Sequence, residues 1–259
     1  MKVYLNRIDG IADAMVSLLM SKRSWTRERE EHIRDVVKCC TNEKDGTFNH
    51  MNYSVSDYSE IFEEFDKQMR SLIKWGKKHI TLLKFIDLSI TVEGLHRAGQ
   101  DDWDAHAERF DNRIIRASTR LATFEGDEVS EWYKGKIMPM DVFLKLMSDE
   151  YHLPEEFNFG GNDWVRTTNG YIRKDLQDDR DVKRGLYMEC IPSNFIFKVN
   201  LAQYAHVYKQ RGNHGHANPE VKILAETICD ELDNAFRHTD NFGNEVTYFT
   251  RELLMEIEN

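Results

Sequence analysis

RGLYMECIPSNFIFKVNLAQYAHVYKQR, residues 184–211, is the stretch that decides the fold. Arg184 is followed sixteen residues later by Asn200, six further on by His206, and five further on by Arg211. Phe195 to Val199 reads as a strand or a helix start, and 200–210 as a helix. Just beyond, Asn218-Pro219 is a strong helix start, with asparagine at the cap and proline in the first turn. Val221, Leu224, Ala225, Ile228, Leu232 and Phe236 then form an apolar stripe at helical spacing, which reads as core. The arginines matter because a guanidinium is permanently charged and offers planar, bidentate donors that suit phosphate. A single arginine is more often a solvated or ion-paired surface residue. Arg184 and Arg211 rise above that only through their spacing with Asn200, which makes them candidates for a ligand site.

Upstream, residues 2–8 alternate and read as a strand, Ile11 to Met20 as an apolar helix, and 24–40 as a charged helix. A polar loop runs from Thr41 to about Ser56. Asp57-x-x-Glu60 reads as a capping box, opening a helix with Ile61, Phe62, Phe65, Met69, Leu72 and Ile73 on one face. Leu82 to Val92 reads as a strand, 97–110 as helix or loop, and 113–124 as another strand. In 126–182 the pattern supports a helix near Asp141 to Tyr151 and a polar loop around Gly160-Gly161-Asn162. The acidic run Asp175 to Asp181 reads as a solvated loop, and Trp103, Trp132 and Trp164 as packing residues. No internal repeat or linker-like tract divides the chain.

The chain has 259 residues, 41% of them hydrophobic and 31% charged, with a net charge of -10. That is enough chain for one large core. The acidic balance argues against broad binding of nucleic-acid polymers, while leaving room for a local anion site. No apolar run is long enough to span a membrane, and the first residues lack a signal-peptide pattern. Cys39, Cys40, Cys190 and Cys229 show no zinc or redox spacing, so a reduced, cytoplasmic protein without a metal is expected. Asn213-His214-Gly215-His216 offers two histidines with no nearby Cys or carboxylate partner, and reads as a loop.

Further motifs lie in consistent order before the opening segment. They are His79-Ile80-Thr81-Leu82-Leu83-Lys84-Phe85, Val92-Glu93-Gly94-Leu95-His96-Arg97-Ala98, Ala105-His106-Ala107, Asn112 and Ser118-Thr119-Arg120. Together with 184–211 and Ala217-Asn218-Pro219-Glu220-Val221-Lys222, this layout resembles the flavin-dependent thymidylate synthases, the ThyX family. Its patterns read H-x-S-x-L-E-H, I-E-G-V-S-R-A, R-H-R, N-E, S-x-R, an arginine-to-arginine run through Asn and His, and A-Q-W-E-I-R. The resemblance covers about residues 79–236. It implies an α/β (α+β) fold: a single ThyX-like domain over 1–259, with a central mixed sheet flanked by helices, a charged N-terminal helical region and a C-terminal extension. It implies reductive methylation of dUMP to dTMP with FAD, NADPH and methylenetetrahydrofolate in a homotetramer. By the same resemblance Arg211 lies near the uracil ring, Ser118 beside the reacting pyrimidine, and Arg120 and Arg184 on ribose and phosphate. Ser118 and Arg211 are the catalytic candidates. His79, His106, Asn112, Asn200 and His206 face the flavin. The cofactor carries the hard chemistry there, so the protein mainly orients and balances charge.

The chain also departs from these patterns. Ala105 and Ala107 stand where the family has the arginines of R-H-R. Lys84 and Phe85 replace the final Glu-His of H-x-S-x-L-E-H, Asp87 stands at a frequent threonine, and Met188 at a proline. Asp101 and Asp102 bring negative charge to the expected nucleotide entrance. Each lost charge-assisted contact removes about 1.5–3 kcal/mol, which predicts weaker flavin affinity unless Arg109, Arg113 or Arg116 substitutes. A pyrophosphate-bearing cofactor should suffer more than a monophosphate still met by its own arginines. Two other readings stay open: an enzyme acting on another pyrimidine nucleotide, and a non-catalytic nucleotide-binding relative that has lost the flavin.

Overall fold

The computed structural model describes residues 1–41, 58–106, 113–117, 131, 153–167, 170–178, 191–213, 217–239 and 243–257; the side chains of 58, 59, 106 and 113 are not among what it describes. By packing, these sort into two compact units. One comprises Met1–Lys2, Val92–Asp102 and Ile115–Phe195, and the other Val3–Thr91, Trp103–Ile114 and Ile196–Asn259.

The larger unit starts with strand β1 (Lys2–Asp9), helix α1 (Ile11–Ser21), helix α2 (Arg27–Cys40) and helix α3 (Tyr58–Gly76). Thr26 caps α2 by accepting a hydrogen bond from the Arg29 N–H, so the helix starts slightly later than its charge pattern suggests. The Asp57 half of the expected capping box lies outside the described residues. Ala14, Met15 and Leu18 of α1 are buried, as are Phe65, Met69 and Leu72 of α3, which accounts for the helical stripes in both segments. Arg34 ties α2 to α1 through Asp13 at 2.9 Å. On α2 itself Glu30 accepts from Trp25 and Arg34, which holds its carboxyl below the ordinary range.

The apolar run 82–92 does not form one strand. A 3-10 turn, Ile80–Phe85, comes first, and strand β2 is Asp87–His96. The reason lies in where the β-branched residues fall: Ile90, Thr91 and Val92 favour extension. Leu82 and Leu83 instead bury side by side, with the Leu82 N–H bonded to the His79 carbonyl at 2.9 Å. Helix α4 (Arg97–His106) comes next, then strand β3 (Arg113–Arg116). The rest of the expected 113–124 strand and the expected helix near 141–151 lie outside the described residues.

In the smaller unit, strands β4 (Glu156–Phe159), β5 (Asn162–Thr167) and β6 (Gly170–Arg173) form an antiparallel sheet where the sequence suggests only a polar loop. Gly160 and Gly161, at φ 62° and 76°, form the two-residue turn, a conformation that suits the twist of a hairpin. The strands escape notice because they are short, β4 is exposed throughout, and β5 and β6 are mostly half-buried without clear apolar alternation. The acidic run after them opens with a short 3-10 turn, Lys174–Leu176.

Strand β7 (Pro192–Asn200) alternates buried Ser193, Phe195, Phe197 and Val199 with more exposed neighbours. It lies in a four-stranded sheet of order β1-β2-β7-β3. Helix α5 (Leu201–Val207) leaves its end, continues as a π-helical turn (Tyr208–Gly212), and is followed by helix α6 (Pro219–Phe236). Asn218 caps α6 and Pro219 opens it, as the sequence predicts, and the stripe from Val221 to Phe236 is fully buried. Strands β8 (His238–Thr239) and β9 (Glu245–Val246) pair, and helix α7 (Arg251–Glu256) closes the chain. Phe236 packs on Phe249 with ring centroids 5.2 Å apart, and Tyr248 donates to Asp66 of α3 at 2.8 Å. No helix among the described residues is long and apolar enough to cross a membrane.

Gly10 links β1 to α1 at φ 80°, and a Cβ there would fall 1.8 Å from the Phe85 carbonyl oxygen. Left-handed backbone and a forced shift of the 3-10 turn should together cost Gly10→Ala about 2–5 kcal/mol. Urea unfolding should show a lower midpoint at unchanged slope; an unchanged midpoint would contradict this close approach.

Candidate functional site

Four of the site residues named from sequence have described side chains: His79, Asn200, His206 and Arg211. Ser118, Arg120, Asn112 and Arg184 lie outside the described residues, as do Arg109 and the His214–His216 pair. His106 ends α4, and its side chain is not described.

Asn200 is the last residue of β7 and the cap of α5. Its side-chain oxygen accepts from the Gln203 N–H at 2.9 Å, and the Gln203 side chain accepts from the Asn200 N–H at 3.2 Å. This reciprocal capping box satisfies two donors that a helix start otherwise leaves open. The Leu201 N–H donates to the Ile86 carbonyl at 2.8 Å, so α5 begins against the end of the 3-10 turn. Asn200 is half-buried, and its oxygen is committed to the cap. The Gln203 Nε2 is buried with no hydrogen-bond partner among the described residues.

Along α5, Leu201 to Ala205 are buried and His206 is half-buried. The helix then widens. The Asn213 N–H reaches back five residues to the Tyr208 carbonyl at 3.2 Å, and Arg211 stands half-buried in this turn. A π-turn inserts a residue and re-aims the side chains beyond it, and such turns recur at functional sites. Three contacts hold it. A Cβ on Gly212 would come within 2.8 Å of the Tyr208 ring, Lys209 donates to the Ile257 carbonyl, and α6 packs alongside. The sequence pattern predicts a plain helix over 200–210, because nothing in local propensity distinguishes a π-turn from an α-turn.

His79 sits apart from this group, at the exposed start of the 3-10 turn. Its ring stacks on Trp75, with centroids 5.9 Å apart and planes 12° from parallel. Asn200 adjoins the other end of that turn, which is roughly 12 Å long at 2 Å per residue. Of the departures from the family pattern, Asp87 pairs with Lys198 at 2.9 Å, and Lys198 also lies 3.7 Å from Asp9. A cation that the sequence pattern does not single out therefore answers this carboxylate, and it lies on the same face of β7 as Asn200, two residues on. In the smaller unit Arg116 ion-pairs with Asp101, so its charge is already engaged.

Tyr204, Tyr208 and Cys229 are kept neutral by burial. Burial pushes Tyr204 well above its ordinary pKa, and its hydroxyl donates to the Ala225 carbonyl at 2.7 Å. Burial also raises Tyr208, and it raises the Cys229 thiol to about 12, so no thiolate forms there near neutrality. Among the described residues no three His, Cys, Asp or Glu side chains are grouped to hold a metal ion. Arg211 brings a permanent positive charge to the π-turn, His206 an imidazole to α5 and Asn200 an amide to the β7–α5 junction; such groups can orient and charge-balance an anion.

No protein-family model matches the chain, and no curated protein matches it. Solved structures do. The fold overlays on the flavin-dependent thymidylate synthase ThyX from Helicobacter pylori complexed with FAD and dUMP, at TM-score 0.53 and 14% identity, covering 90% of this chain and 95% of that one. A second structure, Thymidylate Synthase X (ThyX) from Helicobacter pylori with FAD and dUMP, overlays at TM-score 0.55 and 13% identity, covering 98% of this chain and 100% of that one. The chain therefore has an α/β, ThyX-like fold.

Asn200→Ala removes the cap and should lower stability by about 0.5–2 kcal/mol. Asn200→Asp keeps an acceptor at that position and should restore most of the loss. Urea midpoints of the two variants check this; equal midpoints for Ala and Asp would show that the cap is not the role of this side chain.

Proposed function

We propose that this chain binds a pyrimidine deoxynucleotide, dUMP in the first instance, at a site built around the β7–α5 junction. The observation that carries the reading is the survival of Asn200 at the cap of α5 and Arg211 in its π-turn, within a ThyX-like fold matched along nearly the whole chain. In this reading residues 1–259 work as one domain. Arg211 meets the uracil ring, Ser118 stands beside the reacting carbon, and Arg120 and Arg184 hold ribose and phosphate. A nucleotide monophosphate carries about two negative charges, and arginine answers them with paired donors. The matching activity is the reductive methylation of dUMP to dTMP, with FAD, NADPH and methylenetetrahydrofolate, in a homo-oligomer of the tetrameric kind.

The cofactor set is His79, His106, Asn112, Asn200 and His206, with FAD supplying hydride chemistry when bound. Tested on charge, this set fits the dinucleotide poorly. Ala105 is an exposed alanine on α4, Ala107 brings no charge either, and Asn200 spends its oxygen on the helix cap. Arg116, one candidate replacement, is paired with Asp101. No step is therefore assigned to the flavin. These observations favour, as the second reading, a relative that keeps the nucleotide site without the cofactor.

Two measurements separate the readings. Visible absorbance of the purified protein reports bound flavin. Calorimetry with dUMP reports the nucleotide site, and binding is expected even from colourless protein. Arg211→Ala should weaken dUMP binding by about ten- to a hundredfold, the worth of one charge-assisted contact, while leaving the far-UV circular dichroism unchanged. If neither protein binds a pyrimidine monophosphate at about millimolar concentration, the scale of a very weak complex, the nucleotide reading fails.

A further inference from the structure

Residues 67–86 contain Lys67, Arg70, Lys74, Lys77, Lys78 and Lys84 and no Asp or Glu, in a chain whose net charge is -10. Three of these cations are answered locally: Lys67 by Glu64, Arg70 by Asp66 and Lys77 by Glu256. Lys74, Lys78 and Lys84 are exposed and have no ion-pair partner among the described residues. The fold adds a fourth such cation. Lys22, at the end of α1, bonds to Ser71 of α3 at 2.9 Å and lies 5.3 Å over the Trp75 ring. Lys22 is pushed to a lower pKa by partial burial and then by Lys74, as expected of two cations held together without a counter-charge. Between the lysines lie exposed aromatic rings. Trp75 is 39% exposed and stacked on His79, and Phe85 is 46% exposed at the end of the 3-10 turn.

We propose that this face of the larger unit binds single-stranded nucleic acid, with Lys22, Lys74, Lys78 and Lys84 meeting phosphates and Trp75 and Phe85 meeting bases. Two features select this occupant. The cations alternate with rings, and single strands are held by cationic tracks with stacking side chains that accept any base. The residues also lie on a helix end and the turn after it with their side chains outward, which suits a strand laid across them better than a small molecule, which needs concavity. The acidic total charge describes the surface as a whole and leaves this patch locally positive. The inference does not depend on the dUMP reading, which rests on α5 and its π-turn.

The test is fluorescence anisotropy of a fluorescein-labelled oligodeoxythymidylate, about twenty nucleotides long to exceed the usual site size, titrated with the full chain. Binding should weaken as salt rises, with a log–log slope of roughly -0.7 per phosphate neutralised, so about -3 for four lysines. The double variant Lys74→Glu/Lys78→Glu should lose at least tenfold in affinity and flatten that slope. Trp75→Ala should weaken binding severalfold at an unchanged slope, because stacking releases no counterions. The salt slope of the unaltered chain needs no variant and tests the charge claim even if a variant fails to fold. No anisotropy change at about 50 mM salt, or full binding by the double variant, would overturn the proposal. So would salt-sensitive self-association in sedimentation that the double variant abolishes while the oligonucleotide stays unbound; the patch would then pair with the acidic surface of a second copy.

Discussion

The helix cap at Asn200 is the interaction on which the rest of the candidate site depends. It turns the chain from a strand into a helix at one residue, and it does so with both halves of a capping box in place. The Leu201–Ile86 hydrogen bond seats that helix start on the 3-10 turn, and the Tyr204 hydroxyl anchors the same helix to the Ala225 carbonyl of α6. The start and the middle of α5 are thus held, and the π-turn at Tyr208–Gly212 follows directly on it. The direction in which Arg211 leaves the helix follows from packing rather than from the arginine itself. Loss of the cap would free the first turn of α5, and everything re-aimed by the π-turn would move with it.

Charge is distributed unevenly over this scaffold. Carboxylates that the family pattern does not expect are mostly answered nearby, Asp87 by Lys198 and Asp101 by Arg116. Where the resemblance expects the arginines of R-H-R, this chain has Ala105 and Ala107. An alanine offers a phosphate no charge-assisted contact, which is the physical reason for proposing nucleotide binding ahead of flavin chemistry. Fold likeness at 13–14% identity carries architecture alone.

Much of the fold was legible because it follows from burial periodicity. The stripes on α3 and α6, the Asn218-Pro219 start and the strand at the N-terminus all stand where their patterns place them. The misses share one cause. Where side chains are short of apolar alternation, as in the short β4–β6 sheet, local pattern carries little information. The run 82–92 mixes two periods, and only the pairing of buried Leu82 with Leu83 separates turn from strand. Of the site, the resemblance put Asn200 toward the flavin; the structure shows its side-chain oxygen capping α5. The Gln203 half of the box is a local Asn-x-x-Gln signature that the sequence reading passed over, whereas the Lys198 counter-charge and the π-turn under Arg211 come from tertiary packing, which no single-sequence pattern encodes. Residues Ser118, Arg120 and Arg184 rest on the family pattern alone.

The central claim is that the α5 junction and its π-turn form the wall of a nucleotide site. Hydrogen–deuterium exchange with and without saturating dUMP, read peptide by peptide, tests it most directly. The account expects slower exchange concentrated in residues 200–213, with the buried α6 stripe unchanged. Binding that leaves 200–213 unaffected, with protection elsewhere in the chain, would contradict it.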